Sequence, residues 1–141
     1  FEYMFVLSKD KPKTINLIRD RENKEARSGD TGTKRLYDGS LFQQKRSGYS
    51  KYGRRTNVWE YLVGKGHSAS DKVAYEHPAV FPEKLAQDHI ISWSNEEDIV
   101  YDPFMGSGTT AKMAILNKRK YIGSELSREY CEIAQKRIRY L

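Results

Sequence analysis

Short apolar runs and amphipathic stretches alternate in the second half of the chain. The run Ile99–Asp102 predicts a short buried strand, and Lys120–Glu125 is a second apolar run that also ends in an acid. Between them, Thr110–Leu116 has the apolar spacing of a helix. A strand, a helix and a second strand in this order predict an α/β fold built around a parallel sheet.

A helix is also predicted immediately before the first of these strands. The stretch Glu83–Trp93 carries apolar residues at Leu85, Ile90 and Trp93, which suits a helix that packs against a sheet. Pro82 is expected in its first turn, because a proline nitrogen has no hydrogen that would need an acceptor there.

The last helix is predicted to start after Ser127, which is a favourable N-cap residue. Two arginines, Arg137 and Arg139, fall near its C-terminal end, where positive charge is favourable, and they are interpreted as helix-end charges. Its predicted apolar stripe consists of Tyr130, Ile133, Ala134, Ile138 and Leu141.

The first half of the chain has weaker patterns. Residues 1–9 carry apolar side chains on both faces of an alternating pattern and predict a strand. Residues 13–56 are rich in Gly, Ser, Asp and Lys, which predicts a loop-rich region. Residues 57–63 are expected to be extended, and residues 64–70 to form a flexible linker. The predicted organisation is a core strand in 1–12, a basic loop-rich region in 13–70 and a ligand-binding half in 71–141.

The loop between the first strand and its helix carries the strongest chemical signal. Gly106 and Gly108 open this loop, and a glycine loop between a strand and a helix holds nucleotide-like ligands against backbone N–H groups. No Lys follows the second glycine and no third glycine completes a dinucleotide motif, so the pattern favours an adenosine ligand without a pyrophosphate.

An acid at the end of the second strand strengthens this interpretation. Glu125 lies 23 positions after Asp102, the spacing at which a carboxylate can accept hydrogen bonds from a ribose diol. Taken alone, the Gly-x-Gly turn is common and Glu125 could be a charge at a helix N-terminus. Together, in this order, they favour a cofactor site.

The net charge of +6 is concentrated in one region. Residues 19–55 contain eleven basic and five acidic residues, which accounts for the whole excess. Aromatic residues are interleaved with them, as in segments that contact polyphosphates. The alternative is a solvated loop whose charge only aids solubility.

Other features of the composition exclude some classes of protein. A single cysteine, Cys131, cannot form an internal disulfide and fits a reducing cytoplasm, and it is interpreted as a half-buried helix residue. The three histidines and this cysteine lack the spacing of metal ligands, so no metal is predicted. No apolar run approaches the length of a membrane span, and no signal peptide is recognised.

The run Asp102-Pro103-Phe104-Met105-Gly106-Ser107-Gly108-Thr109-Thr110 resembles the S-adenosylmethionine motif of amino-group DNA methyltransferases, which modify adenine N6 or cytosine N4. The segments that begin at His77 and Tyr121 resemble the motifs on either side of it, and their order resembles the β class of this family. The resemblance implies a partial Rossmann-like methyltransferase sheet, double-stranded DNA as partner and a prokaryotic or phage-type cytoplasmic enzyme.

The resemblance also implies a set of site residues. The cofactor-binding residues it implies are His77, Pro78, Ala79, Asp102, Pro103, Phe104, Met105, Gly106, Ser107, Gly108, Thr109, Thr110, Glu125 and Leu126. The residues expected to contact DNA are Lys45, Arg46, Tyr49, Lys51, Tyr52, Arg54 and Arg55.

The family's catalytic motif, a Pro-Pro pair followed by an aromatic residue, does not occur in this sequence. In the β class this motif would precede Phe1, so the chain is interpreted as the C-terminal part of a larger enzyme whose N-terminal half is a partner. No catalytic residue is therefore predicted here. The alternatives are a DNA-binding or regulatory fragment without catalysis and a methyltransferase acting on RNA or protein. An unpaired sheet edge also invites association, so a homodimer is one expectation.

Overall fold

A computed structural model describes residues 2–23, 31–45, 50–139 and 141 of the chain. The chain divides into two compact units. The first, called the α/β unit, consists of Phe1–Leu17 and Glu60–Leu141, and the second, called the strand unit, is Ile18–Trp59. The basic region predicted for residues 13–70 contains the whole strand unit.

The helices and strands follow one another along the chain with short connections between them. In chain order they are β1 (Arg19–Glu22), β2 (Thr31–Arg35), β3 (Leu41–Lys45), β4 (Tyr52–Arg54), a 3-10 helix (Val73–Glu76), α1 (Glu83–Trp93), β5 (Ile99–Asp102), α2 (Thr109–Leu116), β6 (Lys120–Gly123) and α3 (Arg128–Ile138).

The α/β unit is built around the parallel pair β5 and β6, which α2 connects. The strands are in register from Ile99 opposite Lys120 to Asp102 opposite Gly123, so both end at the same edge of the sheet. The chain therefore has the predicted α/β fold, with a partial Rossmann-like unit of strand, helix and parallel strand. Its apolar core lies where α1 packs against α2, and its buried residues are Ala86, Ile90, Met113 and Ala114.

The strands themselves are not buried, contrary to the prediction from their apolar runs. Ile99 keeps 62% and Ile122 54% of its surface exposed. Within the described residues, β5 and β6 have only each other as hydrogen-bonded neighbours. The helices that pack against them leave much of the apolar surface of these two strands uncovered. An apolar run predicts that a strand forms, but its burial depends on neighbours that the run does not specify.

The helices agree closely with their predicted bounds. The helix α1 spans Glu83–Trp93 as predicted, although Pro82 lies at its N-cap rather than in its first turn. Ser127 is the N-cap of α3, and its hydroxyl accepts a hydrogen bond of 3.3 Å from the N–H of Tyr130. Leu141, which the prediction placed on the apolar stripe, lies beyond the helix and is half exposed.

The strand predicted for residues 1–9 is absent from the described residues 2–9. Tyr3, Phe5 and Leu7 are exposed, and among the described residues no neighbouring strand supplies the hydrogen bonds that would fix an extended conformation. The stretch that follows this segment contacts α1 through Asn16. The backbone N–H of Asn16 donates to the Ser92 carbonyl at 2.9 Å. Its side-chain amide donates to the carbonyls of Ile91 and Ser94, at the C-terminal end of α1, at 3.0 Å each.

The stretch predicted as a flexible linker, residues 64–70, is exposed at five of its seven residues but is anchored at the other two. Ser68 and Ala69 are buried, at 2% and 7% exposure. The Tyr75 hydroxyl accepts hydrogen bonds from the N–H groups of Gly66, at 2.9 Å, and Ala69, at 3.0 Å. Polar and glycine-rich composition indicated a loop correctly, but this loop is fixed by a tyrosine from the neighbouring 3-10 helix. Residues 57–63, predicted to be extended, form no strand.

The strand unit consists of antiparallel pairs that the sequence pattern did not predict. In it β1 pairs with β4, and β2 pairs with β3. Arg55 forms an ion pair with Asp20, and its guanidinium lies 5.0 Å from the centre of the Trp59 ring. These contacts give a region without apolar periodicity a defined shape. None of the helices in the described ranges has both the length and the hydropathy that crossing a bilayer requires.

Candidate cofactor site

The glycine loop lies at the edge of the sheet where β5 and β6 end. The N–H of Ser124 donates to the Asp102 carbonyl at 3.0 Å, and the N–H of Met105 donates to the Ser124 carbonyl at 2.9 Å. These bonds extend the strand pairing into the loop. Gly106 and Gly108 have φ angles of +51° and +79°, a backbone region that favours glycine.

Asp102 is fixed by the loop that follows it. One carboxylate oxygen accepts a hydrogen bond of 2.9 Å from the N–H of Phe104. The other accepts one of 2.6 Å from the hydroxyl of Thr110, in the first turn of α2. The acid that ends β5 therefore spans the loop from its beginning to the helix that it leads into.

Glu125 reaches the same loop from the end of β6. Its Oε2 accepts a hydrogen bond of 2.8 Å from the N–H of Gly106, and its Oε1 accepts one of 2.8 Å from the N–H of Ser127. These two N–H groups, Ser127 first, hold the pKa of the Glu125 carboxyl below its usual value. The carboxylate is therefore ionised at neutral pH and acts only as an acceptor.

His77 approaches the loop from the segment before α1. Its ring centre lies 4.2 Å from that of Tyr130 in α3, and a Cβ added to Gly106 would lie 3.3 Å from His77 Nε2. The His77 Nδ1 accepts a hydrogen bond of 3.1 Å from the N–H of Ala79. The predicted segment His77–Ala79 thus lies beside the glycine loop, with Pro78 and Ala79 exposed.

The apolar residues of the predicted site differ in exposure. Phe104 is 87% exposed and Leu126 is fully exposed, so both present apolar surface to a ligand. Met105 is buried at 9% exposure, and its Cε occupies the space where a Cβ on Gly123 would lie. Met105 therefore supports the loop from inside the unit, and its contact with the cofactor stays a prediction.

Behind the loop lies a group of four charges, two buried bases and two partly buried acids, that the sequence analysis did not predict. We call it the ionic cluster, and its members are Asp71, Glu83, Lys112 and Arg137. The interpretation of Arg137 as a helix-end charge is wrong. Such a charge would be exposed, whereas the Arg137 side chain is 0% exposed and is paired with Asp71 and Glu83. Lys112 is also buried, and its ammonium group lies 2.6 Å from both acids.

Two signals in the sequence could have indicated this cluster. Lys112 is the only charged residue in Thr109–Leu116, an otherwise apolar helix. Arg137 lies four and three positions after Ile133 and Ala134, which places it on the buried stripe of α3. The charge of these two residues alone predicted that they are exposed to solvent, whereas their positions on the helices indicated that they are buried.

The ionic cluster makes the stability of the fold depend on pH. Desolvation, the largest single influence, raises the pKa of Asp71, but bonds from Lys112, the Ala74 N–H and Arg137 together hold it below the usual value. A depressed carboxyl pKa stabilises the fold above the unfolded pKa of about 3.9, and this stability is lost as the pH falls through the folded value. We expect Asp71→Asn to lower the melting temperature at pH 7 and to flatten its fall below about pH 4.

Circular dichroism melting between neutral and acid pH measures this effect. Glu96→Gln is a matched control, since Glu96 is exposed and pairs with the exposed Lys118, and such pairs contribute little. If the melting temperatures of Asp71→Asn and of the unchanged chain fell equally with decreasing pH, the prediction would be contradicted.

The residues expected to contact DNA are only partly described. Arg46 and Tyr49 lie outside the described residues, as does the side chain of Lys45 at the end of β3. The Lys51 ammonium lies 5.3 Å from the centre of the Tyr52 ring, and Arg54 is exposed. Arg55 is instead partly buried against Asp20 and Trp59, which gives it a role in holding the strand unit together.

Three further observations do not extend the site. A cleft of about 330 Å³ lies between α1 and β5, and it meets the predicted cofactor residues only at Thr110. Within the described ranges, no three His, Cys, Asp or Glu side chains are grouped as metal ligands would be. Cys131 is half-buried, as predicted.

A family model described as DNA methylase, N6_N4_Mtase, matches residues 1–136. The chain belongs to this DNA methylase family. The resemblance to amino-group DNA methyltransferases is thereby confirmed, while the interpretation of the chain as a C-terminal part stays a prediction.

Curated relatives in this methylase family are longer than the chain. It is 56% identical over 142 residues to the orphan methyltransferase M.BamHII of Bacillus amyloliquefaciens, an alignment that covers 99% of the chain and 54% of the relative. It is 45% identical over 88 residues to the DNA adenine methyltransferase YhdJ of Escherichia coli K12, which covers 58% of the chain and 27% of YhdJ. The chain thus spans about half the length of M.BamHII and less of YhdJ.

Solved structures of methyltransferases resemble parts of the chain. The structure of M1.HpyAVI in complex with SAM aligns with a TM-score of 0.48 and 33% identity, over 70% of the chain and 48% of that protein.

Proposed function

We propose that the chain is the S-adenosylmethionine-binding and DNA-contacting part of a DNA methyltransferase that methylates adenine N6 or cytosine N4. The observation that carries this proposal is the convergence of Asp102 and Glu125 on one glycine loop, at the ends of adjacent parallel strands. Membership of the DNA methylase family supports the same chemistry.

The residues around the loop match the groups of S-adenosylmethionine. Each Glu125 oxygen accepts one backbone N–H, and a carboxylate offers about four acceptor sites, so capacity remains for two ribose hydroxyls. Asp102 would hold the amino group of the ligand. The carboxylate of the ligand would lie at the N-terminus of α2, where the N–H groups of the first helical turn have no intrahelical acceptor.

The apolar and backbone parts of the site complete the fit. Leu126 and Phe104 offer exposed apolar surface for the adenine. The segment His77–Ala79 would lie along the methionine part of the ligand. When bound, S-adenosylmethionine supplies an electrophilic methyl group, and the residues of this chain bind and orient its donor. Transfer to an amino group needs no covalent enzyme intermediate, so the proposal assigns no chemical role to Cys131.

The target amino group lies inside the DNA duplex, so the base must leave the stack before methylation. The Pro-Pro-aromatic motif that would receive it is absent from this sequence. Since M.BamHII is about twice as long as its match to the chain, we propose that a catalytic half elsewhere in the same protein supplies this motif.

The strand unit is proposed to contact DNA phosphates through its exposed basic residues. We expect Arg54→Ala to weaken binding to all sequences similarly and to reduce the slope of log affinity against log salt by about 1. Fluorescence anisotropy with a labelled duplex at several salt concentrations measures both quantities. Lys118→Ala is the control, because Lys118 lies on the α/β unit in an exposed pair with Glu96. Equal salt slopes for Arg54→Ala and Lys118→Ala would contradict a phosphate contact.

The activity can be tested in the context of a relative. The chain would replace the aligned segment of M.BamHII, and the hybrid would be incubated with DNA and S-adenosylmethionine labelled in its methyl group. Label in DNA is expected with the hybrid and not with its Asp102→Ala variant, and nucleoside digestion distinguishes N6-methyladenine from N4-methylcytosine. A folded hybrid that binds the cofactor but transfers no label would contradict the proposed activity.

The chain alone distinguishes the remaining alternatives. It is expected to bind S-adenosylmethionine and to retain DNA in a gel-shift assay without transferring a methyl group. Methylation by the chain alone would show that it contains the whole catalytic apparatus. Retention of DNA with no binding of the cofactor would instead favour a DNA-binding fragment without catalysis.

A further inference from the structure

The ionic cluster joins four separate segments of the α/β unit behind the glycine loop. Asp71 precedes the 3-10 helix, Glu83 begins α1, Lys112 lies in α2 and Arg137 in α3. The cluster contains two acids and two bases, so its formal charges balance. Buried charges persist only when they are paired and hydrogen-bonded, and no buried side-chain nitrogen or oxygen in the described residues lacks a partner.

Arg137 also extends from the cluster to the loop itself. Its Nη1 donates to the Ser107 carbonyl at 2.8 Å, to the Ser107 hydroxyl at 3.1 Å and to the Thr109 hydroxyl at 3.0 Å. Its Nε faces Asp71 at 3.1 Å and its Nη2 donates to Glu83 at 2.8 Å. The planar guanidinium thus connects both acids to the two residues that flank Gly108.

These bonds fix the orientation of one peptide group. The peptide between Ser107 and Gly108 has its carbonyl bound by Arg137, and its N–H donates to the Met105 carbonyl at 2.9 Å. Gly108 has a φ of +79°, and glycine otherwise moves readily between alternative backbone conformations. Holding the peptide at both ends therefore sets the direction in which the next N–H groups, at the start of α2, point.

We propose that Arg137 is a positioning residue for cofactor binding, which sets the glycine loop in its binding conformation without contacting the ligand. This inference rests on the proposed function. Lysine at this position would keep the charge but would lack the fork that reaches the acids and the loop together. Arg137→Lys removes a charged hydrogen bond that holds the loop in its binding conformation, and the net contribution of one such bond corresponds to about a factor of ten in an equilibrium. It is therefore expected to weaken S-adenosylmethionine binding about tenfold.

The matched control is Glu83→Gln, which weakens the cluster but leaves the bonds from Arg137 to Ser107 and Thr109 in place. It is expected to lower the melting temperature while the affinity changes less than threefold. Isothermal titration calorimetry with S-adenosylmethionine, well below the melting temperature of each variant, separates the two effects. If Arg137 were only structural, both variants would lose stability and neither would lose affinity under these conditions.

Amide hydrogen exchange without ligand gives an independent measurement. In Arg137→Lys the N–H groups of residues 107–110 are expected to exchange about tenfold faster than in the unchanged chain, and in Glu83→Gln they are not. If Arg137→Lys does not fold, Thr109→Val removes one of the acceptors of Arg137 at nearly constant volume and is expected to show the same two changes in smaller degree.

Each outcome bears on a different proposal. Wild-type affinity and wild-type exchange in a folded Arg137→Lys, or in Thr109→Val if that variant replaces it, would overturn the positioning role. Equal losses of affinity in Arg137→Lys and Glu83→Gln would also overturn it. If the unchanged chain failed to bind S-adenosylmethionine while the exchange pattern was as expected, the proposed function would fail and the control of the loop by Arg137 would stand.

Discussion

Replacement of Glu125 by alanine is expected to weaken S-adenosylmethionine binding about a hundredfold. In the proposed complex this carboxylate accepts two ribose hydroxyls, and a hydrogen bond to a charged group contributes about 1.5 kcal/mol or more. Two such bonds correspond to about 3 kcal/mol, and each 1.4 kcal/mol is a factor of ten in affinity. Glu125→Gln keeps one acceptor oxygen and is expected to lie between alanine and the unchanged chain.

Isothermal titration calorimetry at pH 7 measures the loss. The control is Glu129→Ala, because Glu129 is an exposed glutamate only four positions after Glu125, in the first turn of α3. Glu125 also accepts N–H groups of Gly106 and Ser127, so the melting temperature of each variant must be recorded beside its affinity. The same affinity in Glu125→Ala and Glu129→Ala would remove Glu125 from the site.

Replacement of Gly108 by alanine is expected to lower the free energy of unfolding by about 2–5 kcal/mol. A Cβ at this position would lie 2.8 Å from the Ala134 Cβ and 3.0 Å from its Cα, so α3 and the loop would have to separate. Overpacking of this kind costs about 1–3 kcal/mol, and the left-handed conformation costs an L-residue about 1–2 kcal/mol more. Because the loop must move, loss of cofactor binding is expected as well.

The control isolates the contact with Ala134 from the backbone conformation. Gly66 has a φ of +87°, and a Cβ there would meet nothing within 4 Å. Gly66→Ala is therefore expected to show only the conformational cost of about 1–2 kcal/mol. Urea unfolding of both variants gives the two free energies, and equal losses would show that α3 yields to the added methyl group.

Local patterns in the sequence predicted most of the elements that form the site. The helix α1 and the strands β5 and β6 formed where apolar spacing indicated, and Ser127 caps α3 as its type favours. Strands that run parallel end at the same edge, so the acids that terminate them could be expected to lie close together. This topological argument requires no knowledge of distant contacts.

The features that were missed depend on partners distant in sequence. Arg137 pairs with Asp71, 66 positions away, and no local window contains both residues. The exposure of β5 reflects what lies beside it, and the absence of a strand at residues 2–9 reflects the absence of a neighbouring strand among the described residues. Spacing along the chain records which face of an element is apolar, whereas burial and ion pairing are decided by the surroundings of that face.

The two ends of the strand unit lie next to each other. The N–H of Arg55 donates to the Ile18 carbonyl at 2.9 Å, and Arg19 pairs with Arg54 across β1 and β4. A segment that leaves a domain and returns at one point can change in length and sequence without altering the distance that the rest of the chain must span. Under the proposed function, the segment that contacts DNA could therefore vary in evolution while the residues that would hold the methyl donor stay unchanged.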